Sequence, residues 1–423
     1  MDRIKTIRNF ALPSYMGIIH FILIRKRRGI FASCIMTLFF LMMNINHSKA
    51  QETVSSQVVD KISYQLFELG YWTDLIDYAE DAIVKGENFY YLQIRLGIAY
   101  YELKEYRQAL YHFEKAKTLQ APDDVLNEYL YYCYIYNNQY EQALKLSKHF
   151  NKHLLDATAT NHPSIIIFAN IEGGTKIPSD TFYKPMYYTQ TGLTFRAGRN
   201  MTAYAAYTYI TQKNYYATLQ QQQYYLTVNI PLAHSWLLSP AVHVLSYSFS
   251  EVNPLLSLSA ASPIVAGLSA QKNYKNFKCE VRTSYSNLSN EKQYMQHIEV
   301  THYPLSDNTI AFNSGISFLS NDSSGKNSFH TLVNVGAKYY PLKKLSLSAS
   351  YLYANTKNFN EQNAYLVNNS GDETGHRINV NFDWSFSKHM SLYGIYFSET
   401  KTESYTQKAY GYNAGILGLK MIF

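Results

Sequence analysis

Residues 375–386 read Gly-His-Arg-Ile-Asn-Val-Asn-Phe-Asp-Trp-Ser-Phe, and their pattern decides the fold. Ile378, Val380, Phe382, Trp384 and Phe386 alternate with Asn379, Asn381, Asp383 and Ser385. This is the period of two that turns one face of a strand toward an apolar medium and the other toward a polar one. The stretch is also long. A strand in a soluble sandwich usually holds about 5–6 residues, whereas about 9–11 are needed to cross a bilayer at a tilt. Thr331, Val333, Val335, Ala337 and Tyr339 repeat the pattern against His330, Asn334, Gly336 and Lys338.

Carried outward from there, the same reading places strands near 164–172, 186–197, 201–211, 220–231, 236–249, 262–273, 277–287, 291–303, 308–320, 328–340, 344–355, 375–386, 390–399 and 410–423. The expectation is an antiparallel transmembrane β-barrel of about 14 strands over residues 163–423, an even count returning both barrel ends to one side. Short turns at Ala197-Gly198-Arg199-Asn200, Pro231-Leu232-Ala233-His234, Tyr274-Lys275-Asn276, Pro304-Leu305-Ser306-Asp307, Pro341-Leu342-Lys343-Lys344 and Ser387-Lys388-His389 punctuate it. Between them lie longer polar segments, Gly173 to Pro185, Asn355 to Thr374 and Glu399 to Ala409, which read as free outer loops. Proline at three of the turns fixes φ and ends the ladder.

Composition agrees. After the N-terminal region there is no apolar run of the roughly 18 residues a membrane helix needs, and mean hydropathy is -0.26, which excludes a polytopic helical protein. Tyr is counted 41 times and is concentrated beyond residue 180, suiting both strands and membrane interfaces. The formal charge of +7 is scattered outside the leader, so no nucleic-acid footprint is expected. Cys34, Cys133 and Cys279 form neither a disulfide framework nor a metal-ligand spacing. Nor do the histidines pair at ligand spacing within one helix, so neither metal nor cofactor is expected.

Arg25-Lys26-Arg27-Arg28, the apolar run from Ile30 to Met43, and Ser48-Lys49-Ala50 ahead of Gln51 read as a cleavable export leader over residues 1–50. Cys34 stands too early in the apolar run for a lipid-anchoring cysteine.

Residues 51–155 show self-similarity at a period of 34. Trp72, Tyr106 and Tyr140 recur at it, as do Leu75, Ala109 and Ala143. The middle copy carries Leu96, Gly97, Tyr100, Ala109, Phe113, Ala116 and Pro122, and this resembles the tetratricopeptide consensus. The third copy departs from it with Tyr131, Ser147 and Phe150, as terminal repeats do. The resemblance implies three helical hairpins in the periplasm with a groove for a protein or polymer partner.

The last strand brings Leu417, Leu419, Met421 and Phe423 to one face. A terminal Phe on an amphipathic strand resembles the signal read by the outer-membrane barrel assembly machinery, which implies an outer membrane and contact with its lipid. Leader, repeats and barrel in this order resemble exopolysaccharide exporters of the poly-N-acetylglucosamine type and the smaller YaiO-like barrels. The expected function is therefore a conduit for polysaccharide or another polar or anionic solute, and the alternative is a scaffold that recruits periplasmic partners without transport.

With the apolar face toward lipid, Arg196, Lys278, Arg282, Lys338, Arg377 and Lys420 face the lumen with Glu280, Glu299 and Asp383, six basic against three acidic for a net of +3. Such a lumen favours anionic solutes, unless the charges pair in a filled interior, as Lys278, Glu280 and Arg282 could along one strand. A lipid-modifying enzyme would need a base beside a nucleophile. The pairs His243 with Ser246, His297 with Thr301, and His302 with Ser306 sit in no recognisable motif, and residues an odd number apart on a strand diverge. No catalytic residue is assigned.

Overall fold

The computed structural model describes residues 55–158, 164–179, 183–198, 200–214, 217–250, 262–323, 326–342, 344–404 and 406–423. The expected leader lies outside the described residues.

Seven helices come first: α1 (Ser56–Glu68), α2 (Trp72–Val84), α3 (Tyr90–Glu102), α4 (Tyr106–Leu119), α5 (Asp124–Tyr136), α6 (Tyr140–Ser147) and α7 (Lys152–Ala157). The starts of α1, α3 and α5 are 34 positions apart, and so are those of α2, α4 and α6. Each pair turns the same way. Gly70, Lys104 and Asn138, again one period apart, take left-handed φ of 69°, 66° and 56°. The next amide in each case bonds back five residues: Tyr71 N to Leu66 O, Glu105 N to Tyr100 O and Gln139 N to Tyr134 O. That is a Schellman stop, in which a left-handed residue lets the last carbonyls of the first helix find donors.

One continuous core runs through the pairs. Leu75, Leu96, Ala99, Ala109, Phe113, Ala116, Leu126 and Leu130 are fully or almost fully buried in it, with Tyr100 close behind. Gly97 makes room for this packing, because a Cβ there would stand 2.4 Å from the Phe113 ring. Tyr100 stacks on His112 at 5.3 Å and donates its hydroxyl to Glu80 at 2.7 Å.

His112 is 2% exposed and its Nδ1 is 2.7 Å from Gln93 Oε1. Burial, with Lys275 and Lys115 nearby, pushes its pKa down from 6.5 to about 3. A folded-state pKa below the unfolded one means that the unfolded chain takes up the proton first. Stability is therefore unaffected above pH 6.5 and is lost as pH falls from there toward 3. At pH 5 the loss is roughly 2 kcal/mol. Thermal unfolding of the helical signal should show it, and the loss attributable to this group should vanish in His112→Leu; equal pH slopes in both proteins refute the assignment.

Fourteen strands follow: β1 (Ile166–Pro178), β2 (Tyr183–Arg196), β3 (Thr202–Asn214), β4 (Thr218–Pro231), β5 (Trp236–Ser250), β6 (Ile264–Asn273), β7 (Phe277–Ser286), β8 (Lys292–His302), β9 (Ile310–Ser323), β10 (Lys326–Leu342), β11 (Leu345–Glu361), β12 (Leu366–Ser385), β13 (Met390–Thr402) and β14 (Ala409–Ile422). Each pairs antiparallel with its neighbours in sequence, and β1 closes the barrel on β14, Phe168 opposite Ile422 and Pro178 opposite Tyr412. Outward rows are apolar and aromatic, as with Tyr294 and Ile298 on β8, Val281 and Tyr285 on β7, and Ile378, Val380 and Trp384 on β12. The number of strands and the short turns match the sequence reading.

The longer polar segments match only in part, since Glu399 to Ala409 keeps a connection between Thr402 and Ala409. β1 continues to Pro178, β11 to Glu361 and β13 to Thr402, while β12 begins at Leu366, so the expected loop Asn355 to Thr374 is almost wholly strand. Apolar alternation stops where a strand passes the apolar belt, but its backbone hydrogen bonds continue. Polarity alone therefore reads as loop.

The helices sit on the turn end of the barrel, against β2–β9. Arg107 is the centre of the contact. It is 4% exposed, its Nε donates to Lys275 O at 3.1 Å and its Nη2 to Tyr274 O at 3.1 Å and Phe277 O at 3.2 Å, while its guanidinium lies 3.8 Å from the centre of the Tyr303 ring. Gln108 reaches Asn276 and Ser306, and Gln142 donates to Trp236 O. Glu114 accepts from Ser235, and Glu141 from Thr202 and Asn229. Asn308 donates to Tyr136 O and Asn137 Oδ1.

Candidate functional site: the barrel lumen

Inward rows of the wall are amides, hydroxyls and tyrosines: Gln190 on β2, Tyr204 and Thr208 on β3, Gln221, Gln223 and Tyr225 on β4, Ser239 on β5, Asn313 and Ser317 on β9, Asn379 and Asn381 on β12. Across this space lies the β11–β12 hairpin. It leaves the wall where the pairing register shifts, between Tyr353 and Thr356 on one strand and between Thr374 and Arg377 on the other. Asn355 and Gly371 take positive φ there.

Its tip is bound by the opposite wall. His243 Nδ1 lies 2.7 Å from Ala364 O, Tyr225 donates to Asn363 O at 3.2 Å, and Asn363 Nδ2 donates to Ser239 O at 2.7 Å. Tyr365 bonds Gln190 and packs edge-on against Tyr225 and Tyr204, with ring centres 5.1 Å and 5.8 Å away. Along the stem, Asn360 donates to Ser284 on β7, and Gln293 on β8 donates to Asn358 O. Two apolar feet complete the seat. Phe359 is fully buried among Met295, Leu319, Leu332 and Leu352, and Ala364 among Leu245, Val265 and Leu288. Gln362, Asn363 and Ala364 all take left-handed φ, a geometry costing about 1–2 kcal/mol per residue that the surrounding bonds offset.

The base of the hairpin is clasped by charge. Arg377 bonds Glu361 across the stem at 2.6 Å and Glu399 on β13 at 2.9 Å. Glu399 also binds Lys176 of β1 and lies 3.7 Å from Lys401, whose Nζ donates to Thr374 at 3.0 Å. On the far wall Arg282 lies 3.4 Å from Glu280 and 3.1 Å from Glu299, and Lys278 is 4.0 Å from Glu280. What stays open is a cavity of about 1050 Å³. It reaches Asn229, Ser239 and Gln271 on the helix side of the hairpin, and Leu219, Asp372 and Tyr410 on the other.

Of the nine lumen residues expected from sequence, Glu280, Arg282, Glu299 and Arg377 line this cavity. Lys278 pairs at its edge. Arg196 is at the rim, donating to Ser164 O and Tyr140 Oη. Lys338, Asp383 and Lys420 stand on β10, β12 and β14 toward the turn end, Lys420 Nζ 4.3 Å from the centre of the Phe168 ring. The structure adds Glu172, Lys176, Glu361, Asp372, Glu399 and Lys401, which makes the named set eight basic and seven acidic. The expected excess of +3 is thus cut to a single charge. Sequence reasoning missed all but Glu172 because they lie in segments read as loops, while Glu172 ends an expected strand; Phe359 and the run Ala364 to Val367, apolar residues in a supposedly free loop, were the available signal.

The histidine pairs are not hydrogen-bonded to one another among the described residues, although His297 and Thr301 share the inner face of β8. Ser246 is exposed on the outer face, His302 stacks on Phe277 at 4.8 Å, and Ser306 belongs to the helix contact. His297 lies between Ser317 Oγ at 2.7 Å and Glu299 Oε2 at 3.4 Å, a cross-strand ladder in which Glu299 is already held by Arg282. Cys133 is buried and Cys279 half-buried, both as free thiols. Among the described residues no group of three or more His, Cys, Asp or Glu is placed to hold a metal ion.

The barrel is similar to several solved structures. With the CymD monoaromatic hydrocarbon channel it shares 9% identity and a TM-score of 0.43 over 63% of this chain and 91% of that one. With Acinetobacter baumannii Omp33 the values are 10% and 0.36 over 62% and 100%. A bacterial polysaccharide outer membrane secretin gives 11% and 0.37 over 62% and 100%. At such identities the likeness is one of fold alone. No family model matches the chain, and no curated protein matches it.

Proposed function

We propose that this chain is an outer-membrane channel for polar solutes whose lumen is narrowed by an inward-folded hairpin, with the helical module on the periplasmic side. The carrying observation is the cavity of about 1050 Å³, lined by amides, hydroxyls and tyrosines on both sides of the hairpin. Outward apolar rows on a closed barrel support a membrane location, since lipid leaves no other place for them. In this reading the final strand and Phe423 are what the barrel assembly machinery engages. The tetratricopeptide-like helices, fastened to the rim, leave their far faces to a periplasmic protein or polymer.

Hydroxyl-rich solutes of saccharide size suit the lining, because each amide and hydroxyl can exchange a water for a solute hydroxyl at little cost. A long polymer requires the hairpin to move. An enzyme is not proposed, because Ser317, bonded to the lumen histidine His297, is closed into a ladder with Glu299 and Arg282.

The test is planar-bilayer recording of the refolded full chain. Small discrete current steps, reduced by added maltooligosaccharide, are the expected result. A correctly folded barrel that passes no current and binds no saccharide overturns the proposal in favour of a scaffold.

A further inference from the structure

The charges of the lumen are not treated alike. Three cations of the expected set have a carboxylate beside them, Arg282 and Lys278 with Glu280 and Glu299, and Arg377 with Glu361 and Glu399, although Lys278 stands two residues from a turn. Toward the turn end two lysines differ. Lys338 and Lys420 make no ion pair among the described residues, and each lies against an aromatic ring instead: Lys338 Nζ is 4.8 Å from the centre of Tyr340 and Lys420 Nζ is 4.3 Å from that of Phe168. Asp383 is the acidic side chain of the expected set at this level, and Glu172, one row deeper, is held by the hydroxyls of Tyr188 and Tyr393.

Their position is as telling as their lack of carboxylate partners. Among the described residues, the hydrogen bonds and ion pairs between helices and barrel fall on β2–β9 and their turns. Lys338 and Lys420 are on β10 and β14, the part of the rim those contacts leave uncovered. Lys344 and Lys388, in the turns there, are exposed and carry the same sign. Behind Lys420 the wall is built for a ring. Phe168 packs 6.2 Å from Tyr204, while Asn170 accepts from Tyr204 at 3.2 Å and donates to Tyr393 at 3.3 Å.

Building on the channel reading, we infer that this uncovered half of the mouth is a binding ledge for acidic saccharides. Lys338 and Lys420 take the carboxylate, and the wall of Phe168 and Tyr393 takes the sugar face. An ammonium partly shielded by aromatic carbon interacts with a carboxylate more strongly than one in open water. A pyranose ring presents C–H groups to an aromatic face in the same approach.

Two readouts on the refolded full chain test it, bilayer reversal potential in a KCl gradient and equilibrium binding of glucuronate against glucose. The native chain should prefer chloride over potassium and bind glucuronate about tenfold more tightly than glucose. The double variant Lys338→Gln, Lys420→Gln should lose both preferences. Lys420→Arg should keep them, and so should Lys272→Gln, whose ammonium lies against Trp236 and Tyr274. Retained discrimination in a correctly folded double variant overturns the ledge, and so does a native chain that binds the two sugars equally, with or without current. A glucuronate preference without current, lost in the double variant, keeps the ledge and overturns the channel.

Discussion

Phe359→Ala combined with Tyr365→Ala should turn a channel of small, noisy steps into one of large and steady conductance. Phe359 is fully buried against Met295, Leu319, Leu332 and Leu352, and truncating such a ring costs about 3–5 kcal/mol of packing. In a two-state balance between hairpin seated and hairpin released, that shifts the ratio by roughly a hundredfold or more. Tyr365 adds the tip, since without its ring the Tyr204 and Tyr225 faces lose their partner and the Gln190 amide keeps only its 3.5 Å bond to Tyr204. The wall itself should survive. All fourteen strands keep their neighbours whether the hairpin is seated or not, because the tip contributes nothing to wall pairing. Heat resistance in detergent should therefore change little while conductance rises. Unchanged conductance in a folded double variant shows that the hairpin does not limit the pore, and collapse of the barrel shows that it is a structural pillar.

Arg107→Glu should release the helices from the barrel without unfolding either. Arg107 is buried at the contact, donates to three backbone carbonyls of one turn and covers Tyr303. Hydrogen bonds to a charged group are worth about 1.5–3 kcal/mol each. Reversing the sign also places a carboxylate against those carbonyls, so the loss exceeds that of simple truncation, and several kcal/mol of docking energy should go. Hydrogen exchange at residues 274–277 and 303–309 should rise by orders of magnitude, and a proteolytic cut in the 158–166 connection should separate two folded pieces. Arg107→Lys, which keeps the charge but not the fork, should fall between. Unaltered exchange at those turns in Arg107→Glu refutes the bolt.

Much of this was legible in the residues and some was not, for a physical reason. The strands were readable wherever one face met an apolar medium, because Ile378, Val380 and Trp384 had to alternate with Asn379, Asn381 and Asp383. The helix pairs were readable because Gly97 and Phe113 must meet at a fixed spacing. Past the apolar belt that constraint disappears: β11 and β12 beyond Tyr353 and His376 face protein and water, and only Phe359 and the run Ala364 to Val367 mark a hairpin in the lumen rather than a loop in solvent. The pairing of Arg377 with Glu361 and Glu399 depends on that fold, so the charge balance was misjudged with it. Arg107 stands in a helix whose other polar residues are unremarkable, and only the turn placed opposite it reveals its role.

The joint between β1 and β14 has a consequence for how the molecule comes into being. Every other strand pair is a hairpin that joins neighbours in the chain, while this one joins Phe168–Pro178 to Tyr412–Ile422. Until it forms, the sheet is an open ribbon with a raw margin on each side, Ile171 and Ile177 displayed on one and Leu417 and Met421 on the other. Such margins are templates for pairing with a second chain. Bringing together ends this far apart is the slow step in topologies of this kind. The period of greatest hazard is thus the interval between the last hairpin and the closing of this seam, and a chaperone that holds the two margins apart from other chains does more for yield than one that protects any single strand.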